Sequence, residues 1–166
     1  MARIHGLEPV EGFRPAELAD HNPIGPAAVQ LVKLLADNQI PVGIVTGAQR
    51  DDVLAVLNGS PTGELVGFLI AEEDVNDGKP HPEGFLSAAA KLDCDPSDVL
   101  VFEDSVPGVQ AAVAAGMHCI AVCADEPSPE LRAVAPAIVP QLSVDLVAAP
   151  LSRWRRGQPT ATPPAI

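Results

Sequence analysis

The chain has 166 residues, enough for one domain, and 47% of them are hydrophobic although only 3% are aromatic, so a core must be built from Ala, Val, Leu and Ile. A formal net charge of −12 excludes general nucleic-acid binding, which needs a basic face, and no apolar run reaches the length of a membrane span. The N-terminus lacks the apolar stretch of a signal peptide and the three cysteines are an odd number, so we expect reduced thiols and a cytoplasmic protein.

The first 22 residues show no clear period, and beyond them helical spacing alternates with short apolar runs that are typical of buried strands. The predicted helices cover 26 to about 37, 51–57, 84–92, 108–115 and 131–135, with a final turn or two over 144–148. The predicted strands cover 42–45, 65–70, 99–102, 120–122 and 137–139. Strands that alternate with helices predict an α/β fold, a Rossmann-like parallel sheet in three layers.

An acidic pair, Glu103-Asp104, stands at the end of the apolar run Val99–Phe102 and is followed by Pro107-Gly108 and a predicted helix. The carboxyl ends of parallel strands are where α/β sheets bind ligands. Adjacent carboxylates repel each other unless a cation lies beside them, and an oxygen-only site suits Mg²⁺. The alternative, a plain surface pair, is uncommon directly after a buried strand.

Two further strand ends carry polar groups. Thr46-Gly47 follows a buried strand and can offer a hydroxyl and backbone N–H groups to a phosphate oxygen, or Thr46 can simply cap the next helix. Lys79, framed in Gly78-Lys79-Pro80-His81-Pro82, is a fixed point charge for an anion, or else a solvated surface lysine. A hydroxyl, a lysine and metal-binding carboxylates together are the parts of a phosphoryl-transfer site.

The order Thr46, Lys79, Glu103-Asp104 resembles the second, third and fourth motifs of the haloacid dehalogenase superfamily. The runs 78–83, 102–112 and 115–117 are similar to its β-phosphoglucomutase-like subgroup, and the similarity extends from about Pro23 to Val147. The resemblance implies a Mg²⁺-dependent phosphatase or phosphomutase of small phosphorylated metabolites.

The same resemblance assigns roles to the motif residues. It implies that Thr46, with Gly47, binds the transferring phosphoryl group and that Lys79 neutralises this group and the nucleophile. It implies that Asp104 holds Mg²⁺, with Glu103 supporting that ligand or a metal-bound water. It also implies the remnant of a cap exit over 1–22 and a partial core over 23–150. The Arg- and Pro-containing composition of 151–166 predicts a disordered tail.

The family's first motif, Asp-X-Asp-Gly-Thr, is absent from these 166 residues, as is the helical cap domain that normally follows it. The one Asp-X-Asp run, Asp93-Cys94-Asp95, follows a predicted helix and precedes Pro96, which indicates a loop and a helix cap rather than a nucleophile. Without an attacking carboxylate no aspartyl-phosphate can form, so we expect the isolated chain to be nearly inactive. A non-catalytic remnant that binds phosphate or a protein partner is the alternative function.

The missing motif also implies a sheet without its first, central strand. Buried unpaired backbone groups cost about 1–3 kcal/mol each, so an empty position in the sheet would be unfavourable. We therefore expect one of three outcomes: residues near Arg3 to Leu7 fill that position, another chain fills it, or the fold is loose. Open edges favour self-association or pairing with a complementing chain. We hypothesise that the chain is a C-terminal fragment of a longer gene product.

Overall fold

The computed structural model describes residues 25–148. Its helices are α1 Pro26–Asp37, α2 Arg50–Asn58, α3 Glu83–Leu92, α4 Val106–Ala114 and α5 Pro129–Val134. Its strands are β1 Gly43–Val45, β2 Phe68–Ile70, β3 Leu100–Glu103, β4 His118–Val122 and β5 Ile138–Val139. Short 3₁₀ helices cover Gly63–Leu65, Glu72–Asp74 and Pro96–Asp98, and residues 145–148 are helical. Every strand pairing is parallel, which confirms the predicted α/β class.

The predicted elements all exist, and their ends differ where backbone geometry overrides the apolar pattern. β2 begins three residues later than predicted, because Leu65 closes a 3₁₀ turn before the strand. Gly67 then donates its backbone N–H to the carbonyl of Val42, and this bond marks the start of the parallel pairing with β1. α4 begins two residues earlier than predicted because the Ser105 hydroxyl caps it, accepting a hydrogen bond from the Gly108 N–H.

Two hydrophobic clusters cover opposite faces of the strands. Ile44 of β1 and Phe102 of β3 belong to one cluster, together with α1 and α2. Their neighbours Val45 and Val101 belong to the other, together with α3, α4 and α5. Successive residues of a strand point to opposite faces, so the strands form the middle of three layers.

The strands of this middle layer form two separate hydrogen-bonded sheets within the described part of the chain. One has the order β1-β2 and the other the order β3-β4-β5. Because both share the same two clusters, they lie side by side in one layer, with β1 and β3 as the facing edges.

The predictions for residues 1–22 and 151–166 lie outside the described residues. Within residues 25–148, no helix combines the length and the apolar character that a membrane span requires.

Cys119 of β4 should react with iodoacetamide only after unfolding. Its side chain is buried, and burial, reinforced by the nearby Glu103 carboxylate, raises the pKa of the thiol from 9.0 to about 12. The thiolate fraction at pH 8 is therefore about a thousandfold below that of an ordinary thiol. The measurement is the alkylation rate by mass spectrometry in a Cys94→Ser/Cys123→Ser variant, with and without urea. Equal rates in the two conditions would contradict the prediction.

The same thiol makes the fold sensitive to alkali. Below about pH 9 the thiol of Cys119 is protonated in both the folded and the unfolded chain, and its contribution to stability is fully present. Between pH 9 and about 12 the unfolded chain loses this proton first, so the contribution is lost as the pH rises.

Candidate active site

Lys79 joins the carboxyl ends of β1 and β3. Its ammonium donates to the carbonyl oxygen of Val45, the last residue of β1, at 3.0 Å, and to Oε1 of Glu103, the last residue of β3, at 2.5 Å. The ammonium also lies 5.1 Å from the centre of the Phe85 ring on α3. Only 14% of the Lys79 side chain is exposed, so this loop residue is a fixed charge and not a solvated one.

Glu103 is a fully buried carboxylate whose oxygens both have donors. Oε1 faces Lys79, while Oε2 accepts from the Ser105 hydroxyl at 3.1 Å and from the backbone N–H of Asp104 at 3.3 Å. The first turn of α4 packs directly against it, since a Cβ added at Gly108 would lie 2.0 Å from Oε2. The positive end of a helix and a lysine thus balance one buried negative charge.

Thr46, Gly47 and Lys79 line a common cavity of about 210 Å³. Thr46 is buried, and its Oγ1 accepts from the backbone N–H of Ala48 at 3.1 Å, which leaves its own O–H to donate elsewhere. The N-cap of α2 is Gln49, so the alternative in which Thr46 caps that helix is wrong. Around Gly47 there is open space, because an added Cβ would meet nothing within 4 Å.

Asp104 lies directly after Glu103 at the carboxyl end of β3 and is partly buried. Its donor chemistry fits Mg²⁺, which prefers carboxylate oxygens. Glu103 fits a direct ligand role less well in this arrangement, because Lys79, Ser105 and a backbone N–H occupy its oxygens. Asp104 is thus the chain neighbour of the carboxylate that Lys79 contacts.

The acidic loop after β2 supports the start of α2. Glu73 accepts from the backbone N–H of Arg50 at 3.0 Å, Asp74 pairs with the Arg50 guanidinium, and Glu72 accepts from the amide of Gln49 at 2.8 Å. A hydrogen bond from the Ala71 N–H, aided by Arg50, lowers the pKa of Asp74. Glu72, Glu73 and Asp74 are thus held at the start of α2.

Asp93 and Asp95 act as caps, as predicted. Asp93 ends α3 in the left-handed conformation (φ 51°), and Asp95 accepts from the backbone N–H of Ser97 at 2.8 Å. Hydrogen bonds from Ser97 lower the pKa of Asp95. Neither aspartate lies at the end of a strand, so neither is placed as a nucleophile at this site.

Sequence reasoning missed three residues that build the site. Ser105 orients Glu103, Gly108 makes room for it, and Phe85 receives the Lys79 ammonium. The sequence did contain a signal for Ser105, because a serine three residues before Gly108, whose N–H it caps, is typical of an N-cap. No sequence pattern places Phe85 beside Lys79.

A sequence model described as haloacid dehalogenase-like hydrolase matches residues 3–116. The chain is 38% identical over 93 residues to validoxylamine A 7'-phosphate phosphatase of Streptomyces hygroscopicus subsp. limoneus, covering 56% of this chain and 44% of that protein. It is 37% identical over 111 residues to hexitol phosphatase A of Escherichia coli (strain K12), covering 66% of this chain and 50% of that protein. The chain thus spans about half the length of these curated relatives.

A solved structure with the same fold is that of a putative β-phosphoglucomutase from Thermotoga maritima. The two chains superpose with a TM-score of 0.67 at 25% sequence identity, over 78% of this chain and 60% of the other. The parallel layer described above is therefore the core arrangement of that protein.

Proposed function

Because the chain belongs to the haloacid dehalogenase-like hydrolase family, we propose that its strand ends form the phosphate- and Mg²⁺-binding part of a phosphatase or phosphomutase of small phosphorylated metabolites. The observation that carries this proposal is the position of the Lys79 ammonium, which contacts both Val45 and Glu103. Thr46 directly follows Val45 and Asp104 directly follows Glu103, so the contacts of this one lysine connect all three motifs.

The free thiols of the three cysteines support a cytoplasmic location.

In this proposal each side chain has a distinct task. The Thr46 hydroxyl donates to a phosphoryl oxygen, and the open backbone at Gly47 lets that oxygen approach. Lys79 offsets the negative charge of the phosphoryl group, while Glu103 and Phe85 hold its ammonium in place. Asp104 would hold Mg²⁺, with Glu103 in support, and the ion would stabilise charge that develops on the phosphoryl oxygens.

We further propose that these 166 residues hydrolyse phosphate esters only slowly by themselves. The sequence contains no Asp-X-Asp-Gly run, and its one Asp-X-Asp caps a helix end and a 3₁₀ turn. Loss of a covalent nucleophile costs orders of magnitude in rate. This absence is also what favours the second candidate function, a remnant that binds phosphate or a protein partner without turnover.

The test compares hydrolysis of p-nitrophenyl phosphate with Mg²⁺ by the purified chain and by its Asp104→Asn variant. We expect equal rates near background, because no attacking carboxylate is present. Isothermal titration should nevertheless detect Mg²⁺ binding that Asp104→Asn weakens at least about tenfold, or about 1.4 kcal/mol. Asp125→Asn, an exposed carboxylate in the loop after β4, is the matched control and should bind Mg²⁺ like the parent.

Two results would contradict these proposals in different ways. Clear turnover that Asp104→Asn abolishes would show that a nucleophile is present after all. Mg²⁺ binding that is unaffected by Asp104→Asn would remove the metal site from the end of β3.

A further inference from the structure

The cavity that Thr46 and Lys79 line has further polar side chains that the proposed phosphate site does not use. Asp77 and His81 line it from the loop before α3, and Glu72 lines it from the loop after β2. All three of these residues are exposed to solvent. A ligand that is anchored at Thr46 and Lys79 and fills this cavity of about 210 Å³ therefore meets them.

Glu83 ties the loop that carries Asp77 and His81 to the start of α3. One oxygen of its carboxylate accepts from the backbone N–H of Asn76 at 3.0 Å, and the other accepts from the backbone N–H of Asp77 at 3.0 Å. These backbone hydrogen bonds lower the pKa of the Glu83 carboxyl, so the group remains an ionised acceptor. The backbone at Asp77 is therefore held in place before any ligand arrives.

Asp77 and His81 together offer one hydrogen-bond acceptor and one donor. A carboxylate oxygen of Asp77, a ring nitrogen of His81 and a carboxylate oxygen of Glu83 all lie within 4.8 Å of one another. Nδ1 of His81 accepts a long hydrogen bond of 3.4 Å from the backbone N–H of Glu83, so Nε2 carries the proton of the neutral ring and donates. A hydroxyl group can donate to a carboxylate and accept from an N–H at once, so this pair suits an alcohol.

The charges around the cavity disfavour a second anionic group on the ligand. Lys79 is the one lysine or arginine among the described residues that line it, and the phosphoryl group would occupy this charge. Glu72 and Asp77 are carboxylates on the same lining. A second anion would face them without a cation of its own, and juxtaposed like charges oppose binding.

We propose that Asp77 and His81 form a subsite for a hydroxyl group in the organic part of the substrate. The hydroxyl donates to the Asp77 carboxylate and accepts from Nε2 of His81. The subsite selects phosphate monoesters with a neutral, hydroxyl-bearing organic part over esters with a second anionic group. This inference rests on the proposed function, because Thr46 and Lys79 must hold the phosphoryl group.

Isothermal titration calorimetry of the full chain with Mg²⁺ tests the subsite with ligands that differ in single features. These are inorganic phosphate, propyl phosphate, glycerol phosphate esterified at a terminal carbon, and phosphoglycerate, in which a carboxylate replaces the terminal CH₂OH. We expect glycerol phosphate to bind at least about tenfold more tightly than propyl phosphate, because it adds hydroxyls to the same carbon chain. Phosphoglycerate should bind at least about tenfold more weakly than glycerol phosphate.

Two variants assign these preferences to the subsite. In Asp77→Ala/His81→Ala the affinities for glycerol phosphate and propyl phosphate should become equal within about twofold, and their ratio cancels any general effect on anion binding. Asp77→Asn should narrow the difference between glycerol phosphate and phosphoglycerate. Both positions are exposed, so we expect both variants to keep the circular dichroism spectrum of the parent. Glu64→Gln, an exposed carboxylate in the 3₁₀ turn before β2, is the matched control and should keep both preferences.

The outcomes separate the subsite from the phosphate site. If inorganic phosphate and propyl phosphate bind but the parent chain does not prefer glycerol phosphate, the subsite is overturned while the phosphate site stands. The same conclusion follows if the preference survives in Asp77→Ala/His81→Ala. If none of the four ligands binds, the proposed phosphate site is wrong and the subsite fails with it.

Discussion

Replacing Lys79 by methionine should lower the free energy of unfolding by about 3–5 kcal/mol. The change keeps most of the length and an apolar stem but removes the charge that faces Glu103. The Glu103 side chain is 0% exposed, so its carboxylate would remain as a buried charge without its lysine partner. Urea denaturation followed by circular dichroism measures the effect.

A double-mutant cycle separates this charge effect from lost packing. In Lys79→Met/Glu103→Gln the buried charge is gone, and the amide can still accept from the Ser105 hydroxyl, so most of the lost stability should return. If the double variant is as unstable as Lys79→Met, the cost comes from packing against Phe85 and the ion pair is not the cause.

Much of this site could be predicted because strand ends are encoded locally. The runs before Thr46 and Glu103 are apolar enough to be buried on both faces, and parallel strands end at the same edge of a sheet. The fixed backbone around Lys79, with its two prolines, indicated a positioned charge. These features depend on few residues and need no knowledge of distant contacts.

The division of labour between the two carboxylates could not be predicted from the sequence. Glu103 and Asp104 look alike as neighbours, and the packing of α4 and the contact with Lys79 single out Glu103. The contact in which Glu73 accepts from the first N–H of α2 is likewise not indicated by any local pattern. Both cases involve a partner distant in sequence, Lys79 for Glu103 and Arg50 for Glu73.

The strands of the described residues form two hydrogen-bonded sheets in one layer. Each sheet by itself has a normal parallel register, Gly43 opposite Phe68 and Leu100 opposite His118. The two sheets share both hydrophobic clusters, so the helices still define one continuous layer. The expectation of a missing central strand came from the resemblance to the family, and it stays a prediction.

Gly108→Ala should destabilise the fold by about 1–3 kcal/mol, although alanine is the better helix former. The new Cβ would lie 2.0 Å from Oε2 of Glu103 and 2.7 Å from Oε1, so the carboxylate must move. It cannot move freely, because Lys79 and Ser105 hold its two oxygens in a buried position. Steric cost therefore outweighs the gain in helix propensity, which urea denaturation will measure.

Gly59→Ala is the matched control at the end of α2. Gly59 has an ordinary right-handed conformation (φ −91°), and an added Cβ would meet only the Val56 carbonyl oxygen at 3.8 Å. Reduced freedom of the unfolded chain should make this change neutral or stabilising by up to about 1 kcal/mol. If Gly108→Ala behaved like Gly59→Ala, the carboxylate of Glu103 would have room to shift. Its bonds to Lys79 and Ser105 would then be too weak to fix the ammonium that the proposed phosphate site requires.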